Sequence, residues 1–124
     1  MMCVVGNIYT HRETIYRFGG GLTQAYLPTR NNYRDVLGGR FKLDLNPRAP
    51  NVVVVGDTVQ ITKQAEAYAS CGYAIPIFVK VRTNEWRYEG TYLCTRQSST
   101  ALDLARYASH RKDATSILFL EKVP

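Results

Sequence analysis

The sequence predicts an α+β fold, a curled sheet or small β-barrel carrying two short helices. Three observations carry that prediction. Apolar and polar residues alternate over 75–82 and again over 85–95, which is the period of a half-buried strand. Two stretches, 62–70 and 100–107, carry apolar residues at helical spacing beside capping residues. The 124 residues are 45% hydrophobic and 21% charged, enough apolar side chain for a buried core and too much for a disordered segment. The length fits one domain, read as residues 1–124.

The elements follow in chain order. Cys3 to Tyr9 reads as an initial strand. Gly19-Gly20-Gly21 opens a loop that runs to Asn32, and Gly38-Gly39 marks a turn. Phe41 to Leu45 alternates as a short strand and stops at Asn46-Pro47-Arg48-Ala49-Pro50. Val52 to Val55 is apolar at every position, so it predicts a strand buried on both faces and closed by Gly56-Asp57. Thr62 is placed to cap a helix that ends at Gly72 in a left-handed conformation. Ile75–Arg82 and Glu85–Thr95 then form a hairpin around Thr83-Asn84. On this reading Trp86, Tyr88, Tyr92 and Cys94 share one face, and Gly90 permits a bulge or a close backbone approach. Ser99 or Thr100 caps a second helix, and Ser116 to Glu121 is the last strand.

Several function classes are disfavoured. The longest aliphatic run is the four valines at 52–55, against the roughly 20 residues of a membrane span. The apolar start is too short for a signal-peptide core, so a cytoplasmic protein with no membrane partner is expected. Cys3, Cys71 and Cys94 match no zinc spacing and read as reduced thiols. His11 and His110 have no neighbouring ligand in the sequence. There is no Walker loop and no nucleophile elbow, so no catalytic residue, metal or cofactor is assigned.

Charge points to a partner. Sixteen Lys and Arg face ten Asp and Glu, for a net charge of +6, and eleven of the sixteen are Arg. The planar guanidinium suits phosphate forks and base edges, so nucleic acid is expected, DNA ahead of RNA. The candidate contacts fall in three groups. In the glycine-rich loop, Gln24 and Asn31 offer amides, Tyr26 a stacking face and Arg30 a bidentate donor. At a strand end, Asp44 and Asn46 offer acceptors to the exocyclic amine of a flipped base, or else simply cap a turn. In the hairpin, Lys80 and Arg82 add charge, and Trp86 and Tyr88 add rings that stack on bases or fill a core.

The hairpin also carries a family likeness. Tyr88-Glu89-Gly90-Thr91-Tyr92 resembles the Tyr-Asp-Gly-x-Tyr hallmark of SRA (SET- and RING-associated, or YDG) domains. Ala74-Ile75-Pro76-Ile77-Phe78-Val79-Lys80-Val81-Arg82 resembles the apolar strand, with its proline and terminal arginine, that precedes the hallmark. The resemblance implies a curved β-barrel of the PUA-like group that binds DNA carrying a modified cytosine. It implies base flipping into an aromatic pocket and, in bacterial relatives, linkage to a restriction nuclease domain or subunit. It implies that the hallmark stabilises the barrel more than it touches the base. The chain departs in having Glu89 where the family has Asp. Two other readings stand beside it: an RNA- or nucleotide-binding PUA-like module, and a small metal-dependent nuclease or hydrolase using Asp44, Asp57 and His11.

Overall fold

The strands that alternate most strictly in the sequence lie at the centre of the sheet. The structure, a computed structural model, describes residues 2–19 and 26–124. Its elements are β1 (Ile8–Tyr9), α1 (His11–Arg17), β2 (Thr29–Arg30), β3 (Asp35–Val36), β4 (Gly39–Lys42) and β5 (Val52–Val55). These are followed by α2 (Val59–Cys71), β6 (Ile75–Arg82), β7 (Glu85–Ser98), α3 (Ala101–Tyr107) and β8 (Ser116–Lys122). Among the described residues one sheet runs β4-β6-β7-β8-β5, with β1 also paired to β7; β2 and β3 make a separate ribbon. β4 runs parallel to β6, and the other ladders are antiparallel. The sheet is open, with β4 and β5 as its edges. This is the α+β curled sheet that the alternation predicts.

The first half differs most from expectation. A third helix, α1, stands where the sequence reading had only strand and loop, and the initial strand shrinks to Ile8–Tyr9. Its start is a capping box: Thr10 Oγ1 accepts from Glu13 N at 3.2 Å and Glu13 Oε1 accepts from Thr10 N at 2.9 Å. Only Thr14 of this helix is buried, so it shows no apolar stripe. α2 starts a turn earlier than expected, because Thr58 Oγ1 accepts from Ile61 N at 3.1 Å; Thr62 lies inside the helix and donates to Val59 O. β4 begins at Gly39 and residues 43–45 form a turn. Gly72 ends α2 at φ +77, as expected, and Thr100 is the cap of α3.

The register of the central hairpin decides where its aromatics point. Residues paired directly across a ladder share a face. Ile75 pairs with Tyr92 and Ile77 with Gly90, but the next pair is Phe78 with Tyr88. Glu89 is therefore an extra residue, a β-bulge, and Gly90 beside it takes φ +112, a conformation that favours glycine. The bulge divides the alternating residues of β7 between the two faces of the sheet. Tyr92 and Cys94 lie with Ile75 and Ile77, in the core under α2 that also holds Phe41, Tyr68, Val53 and Leu118. Tyr68 Oη donates to Tyr92 O at 2.7 Å and ties the helix to the strand. Trp86 and Tyr88 lie with Phe78 and Phe18 in a second cluster on the α1 side. The four do not share one face, as unbroken alternation had implied. The parallel register of β4 with β6 pairs Arg40 with Phe78 and Lys42 with Lys80. Both β4 cations thus belong to the face of Trp86 and Tyr88.

Candidate nucleic-acid interface

The two edges of the open sheet approach one another, and a cavity of about 560 Å³ lies in the gap. Edge β4 contributes Arg40 and Lys42, and edge β5 contributes Val54. Two sets of contacts frame the gap, and the second bridges the edges. Arg40 N donates to Tyr26 O at 2.8 Å, which brings the Tyr26 segment alongside β4. Asn46 N donates to Lys42 O, and Asn46 Oδ1 accepts from Val54 N at 2.8 Å, which carries the chain from β4 across to β5. The first turn of α2, with Thr58, Gln60 and Ile61, closes one side, and Gln64 stands one turn deeper. Lys80, Trp86 and His11 close the other side, and Arg111 reaches in from the segment after α3.

The lining is strongly one-signed. Four cationic side chains, Arg40, Lys42, Lys80 and Arg111, face the cavity, and no Asp or Glu does among the described residues. Arg111 is neutralised from behind by a two-point ion pair to Asp113, Nη2–Oδ2 2.8 Å and Nε–Oδ1 3.0 Å, which holds the Asp113 carboxyl below its usual range. Arg40 is only 3% exposed and lies within 3.3 Å of both His11 Nε2 and Thr14 Oγ1. Burial lowers its guanidinium from the ordinary arginine value. Lys80 Nζ sits 5.8 Å from the Trp86 ring centre, a cation–π distance, and the His11 ring lies 6.1 Å from that ring.

Among the described residues one polar atom in the lining is buried without a partner, and one buried residue there has a free amide. Tyr26 packs its ring edgewise on Phe41 at 5.9 Å, and its Oη is buried without a hydrogen-bond partner among the described residues. Desolvation pushes this phenol up from the usual tyrosine range, opposed by the charge of Arg111. Gln64 is 3% exposed, and its amide makes no side-chain hydrogen bond among the described residues. A buried polar atom left orphaned, as Tyr26 Oη is, costs about 1–3 kcal/mol, so such atoms are uncommon outside sites that a ligand completes.

No model of a known protein family matches the chain, and no curated protein matches it. Among solved structures, the SRA domain of SUVH5, in a complex with methylated CHH DNA, superposes with a TM-score of 0.58 at 12% identity. The match covers 98% of this chain and 95% of that one. This chain has the SRA fold. The Tyr88–Tyr92 segment that resembles the SRA hallmark is the stretch of β7 that holds the bulge, which is a sheet-shaping role. Glu89, which departs from the hallmark, pairs with Arg87 at 2.7 Å.

Within this SRA fold the sequence-chosen residues separate clearly. Tyr26, Asn46, Lys80 and Trp86 line the cavity. Asn46 has its Oδ1 committed to Val54 N, so it holds the edges in place as well as facing the cavity. Asp44 is exposed, accepts from Leu45 N at 3.0 Å and stays outside the lining, as a turn residue does. Arg30 at the end of β2 and Asn31 in the turn that follows are exposed, and Asn31 Nδ2 donates to Asp35 Oδ2 at 2.5 Å. Arg82 is exposed at the end of β6, paired with Glu85. Tyr88 is buried against Phe78, ring centres 5.1 Å apart, and does not reach the cavity. Gln24, like Gly20 and Gly21, lies outside the described residues.

The sequence reading missed His11, Arg40, Lys42, Gln64 and Arg111 as cavity residues. The signal for His11 was the Thr10-x-x-Glu13 capping box, which announces α1. Arg40, Gln64 and Arg111 carry no local signal, because only the closure of the sheet edges brings them together. Among the described residues no three of His, Cys, Asp and Glu converge, so Asp44, Asp57 and His11 form no cluster. Among the described residues no helix is long and apolar enough to cross a membrane.

Proposed function

We propose that this chain binds DNA carrying a modified base and receives that base, flipped from the duplex, in the cavity between the sheet edges. The observation that carries the reading is this one cavity, cationic and flanked by the Trp86 and Tyr26 rings, set in an SRA fold. A flipped base needs a recess with a stacking wall and polar groups at its end. Trp86 supplies the wall, and Gln64 and Tyr26 Oη supply the polar end. Lys42 and Lys80 supply charge to hold the strand near the opening, with exposed Arg30 and Arg82 as further phosphate contacts, and the recessed Arg40 adds to the positive field inside. The SUVH5 domain of the same fold was solved with methylated DNA. We further propose that the chain serves as the recognition module of a modification-dependent restriction or similar system, in which a separate nuclease domain or subunit does the cutting.

Titration of modified duplex, plain duplex and single-stranded RNA at two salt concentrations tests the reading. Modified duplex should bind tightest, and its affinity should fall as salt rises, because the bound cations release phosphate counterions. A 2-aminopurine placed beside the modified base should brighten on binding, since flipping removes its stacking neighbour. Equal affinity for modified and plain duplex with no fluorescence change would overturn the reading; tightest binding to RNA would replace it with the RNA-binding alternative.

A further inference from the structure

The cavity is specific about charge. Its lining holds cations and no carboxylate among the described residues, and the cation at Arg40 is too recessed to meet a passing phosphate backbone. The start of α2 faces the same space. Its first amides have no intrahelical acceptors, and only Ile61 N is taken, by Thr58 Oγ1. A helix start of this kind favours negative charge. Two further groups end there: Tyr26 Oη, buried without a partner among the described residues, and the Gln64 amide, which makes no side-chain hydrogen bond among them. They are independent of the helix and can both donate a hydrogen bond.

Such a lining is poorly matched to a group whose own edge is donor-rich or purely apolar. A methyl substituent would leave Tyr26 Oη orphaned and would offer the Gln64 amide no acceptor. A carboxylate or phosphate oxygen would accept from both and would sit in a favourable field. The volume, about 560 Å³, lies within the roughly 300–1,000 Å³ of sites that enclose small ligands, so a base with a substituent fits.

We propose that the cavity selects an anionic, acceptor-rich group, with Gln64 and Tyr26 Oη donating to it and the α2 N-terminus, Arg40, Lys42 and Lys80 supplying the positive field. This rests on the modified-base reading for the source of the group, an acidic substituent on the flipped base. The same chemistry has a second source in the phosphate of a free nucleotide, and the test separates them.

The test titrates the intact chain with duplexes that differ only in one cytosine: unmodified, 5-methyl, 5-hydroxymethyl or 5-carboxyl. Free 2′-deoxycytidine 5′-monophosphate is a separate arm. The 5-carboxyl duplex should bind about tenfold or more tighter than the 5-methyl one, the worth of one charge-assisted hydrogen bond. Gln64→Glu places a like charge against the ligand and should abolish the preference. Tyr26→Phe gives a readout that a structural role would not move. It removes an orphaned hydroxyl, so the free protein should melt no lower than wild type, while the 5-carboxyl duplex should lose about tenfold in affinity. A 5-methyl duplex bound tighter than the 5-carboxyl one would overturn the anionic selection and leave the modified-base reading standing. If no duplex is preferred, the modified-base reading fails, and the monophosphate decides the rest. Monophosphate binding weakened by Gln64→Glu would support the anion site with a phosphate as its ligand. No monophosphate binding would overturn it.

Discussion

On one side of Gly90, Tyr92 and Cys94 pack with Ile75, Ile77 and Leu118 beneath α2. On the other side, Trp86 and Tyr88 pack with Phe78 and Phe18 beneath α1, and Trp86 also walls the cavity. Both pairs sit at even positions of one strand and are buried to the same degree, between 5% and 9% exposed. Neither alternation nor burial tells them apart. One extra residue, Glu89, sends them to opposite faces. The sheet can then bury aromatic residues under both helices from a single strand, and it can turn one end of that strand toward the gap between its edges. Bulges increase local twist and bend the strand that carries them. This one therefore serves the curl that brings β4 and β5 near each other.

Removing the bulge is the strongest way to break the comparison. Insertion of one residue between Ile77 and Phe78, opposite Glu89, would restore continuous pairing and turn Phe78, Tyr88 and Trp86 toward the α2 face, because a one-residue slip reverses every side chain beyond it. That face is filled already. The insertion variant should lose cooperative unfolding, seen as a broad melt with weak near-ultraviolet circular dichroism. A sharp melt near that of wild type would show that the register shift does not separate the two clusters.

Alanine substitution on each side sharpens it. Tyr92→Ala should cost about 3–5 kcal/mol, the usual range for emptying a large buried aromatic site. Its effect on DNA affinity per folded molecule should be small, since Tyr92 does not line the cavity. Trp86→Ala should destabilise as well and should also weaken binding in the folded fraction, because its ring is both core and cavity wall. Denaturant titration paired with binding at low temperature separates the two effects. Equal loss of binding in both variants would assign Trp86 to the core alone.

How much of this was legible depends on how local each signal is. β6 is bounded as the alternation predicts, and β7 and β8 begin where predicted and run slightly longer; α2 ends at Gly72 as expected. These elements are set by neighbouring residues and by turn chemistry. α1 was hidden because its buried position is a threonine, although its capping box was present in the sequence. The even positions of β7 were placed on one face because alternation carries no mark of an inserted residue; Gly90 was the one hint, and it permits a bulge without requiring it. The cavity was half legible. Tyr26, Asn46, Lys80 and Trp86 were chosen for their chemistry. Arg40 and Gln64 resemble surface residues in the sequence, and only the approach of two remote sheet edges buries them.

A smaller perturbation tests Gly90 itself. Gly90→Ala keeps Glu89 in the chain but strains the left-handed φ, at a cost of about 1–3 kcal/mol. The added Cβ would also come within 2.8 Å of Lys122 Cε, a flexible side chain that can move aside. The variant should therefore fold with a lowered melting temperature and unchanged preference among duplexes. A cost near zero would mean that the backbone at Gly90 relaxes without the left-handed conformation.

The smallest expected effect lies at the bulge residue's own side chain. Glu89 Oε1 and Arg87 Nε are 2.7 Å apart, with the arginine side chain 42% exposed and the carboxylate 16%. A pair this open to solvent is screened and restrains two long side chains, so it contributes about 0.2–1 kcal/mol. If the bulge is set by the backbone, by Gly90 and by the packing of Phe78 against Tyr88, then Glu89→Gln should leave the register intact at a loss inside that range. Arg87→Ala should do the same, and the double variant should cost no more than the sum. If the ion pair instead pins the bulge, Glu89→Gln should approach the insertion between Ile77 and Phe78 in its effect on the melt. Glu89→Asp, which restores the residue of the SRA hallmark, discriminates further. The shorter carboxylate moves away from Arg87 while the backbone is unchanged. Under the backbone account its melting temperature should match that of Glu89→Gln; a clear rise above wild type would show that the hallmark carboxylate holds a partner that Glu89 does not.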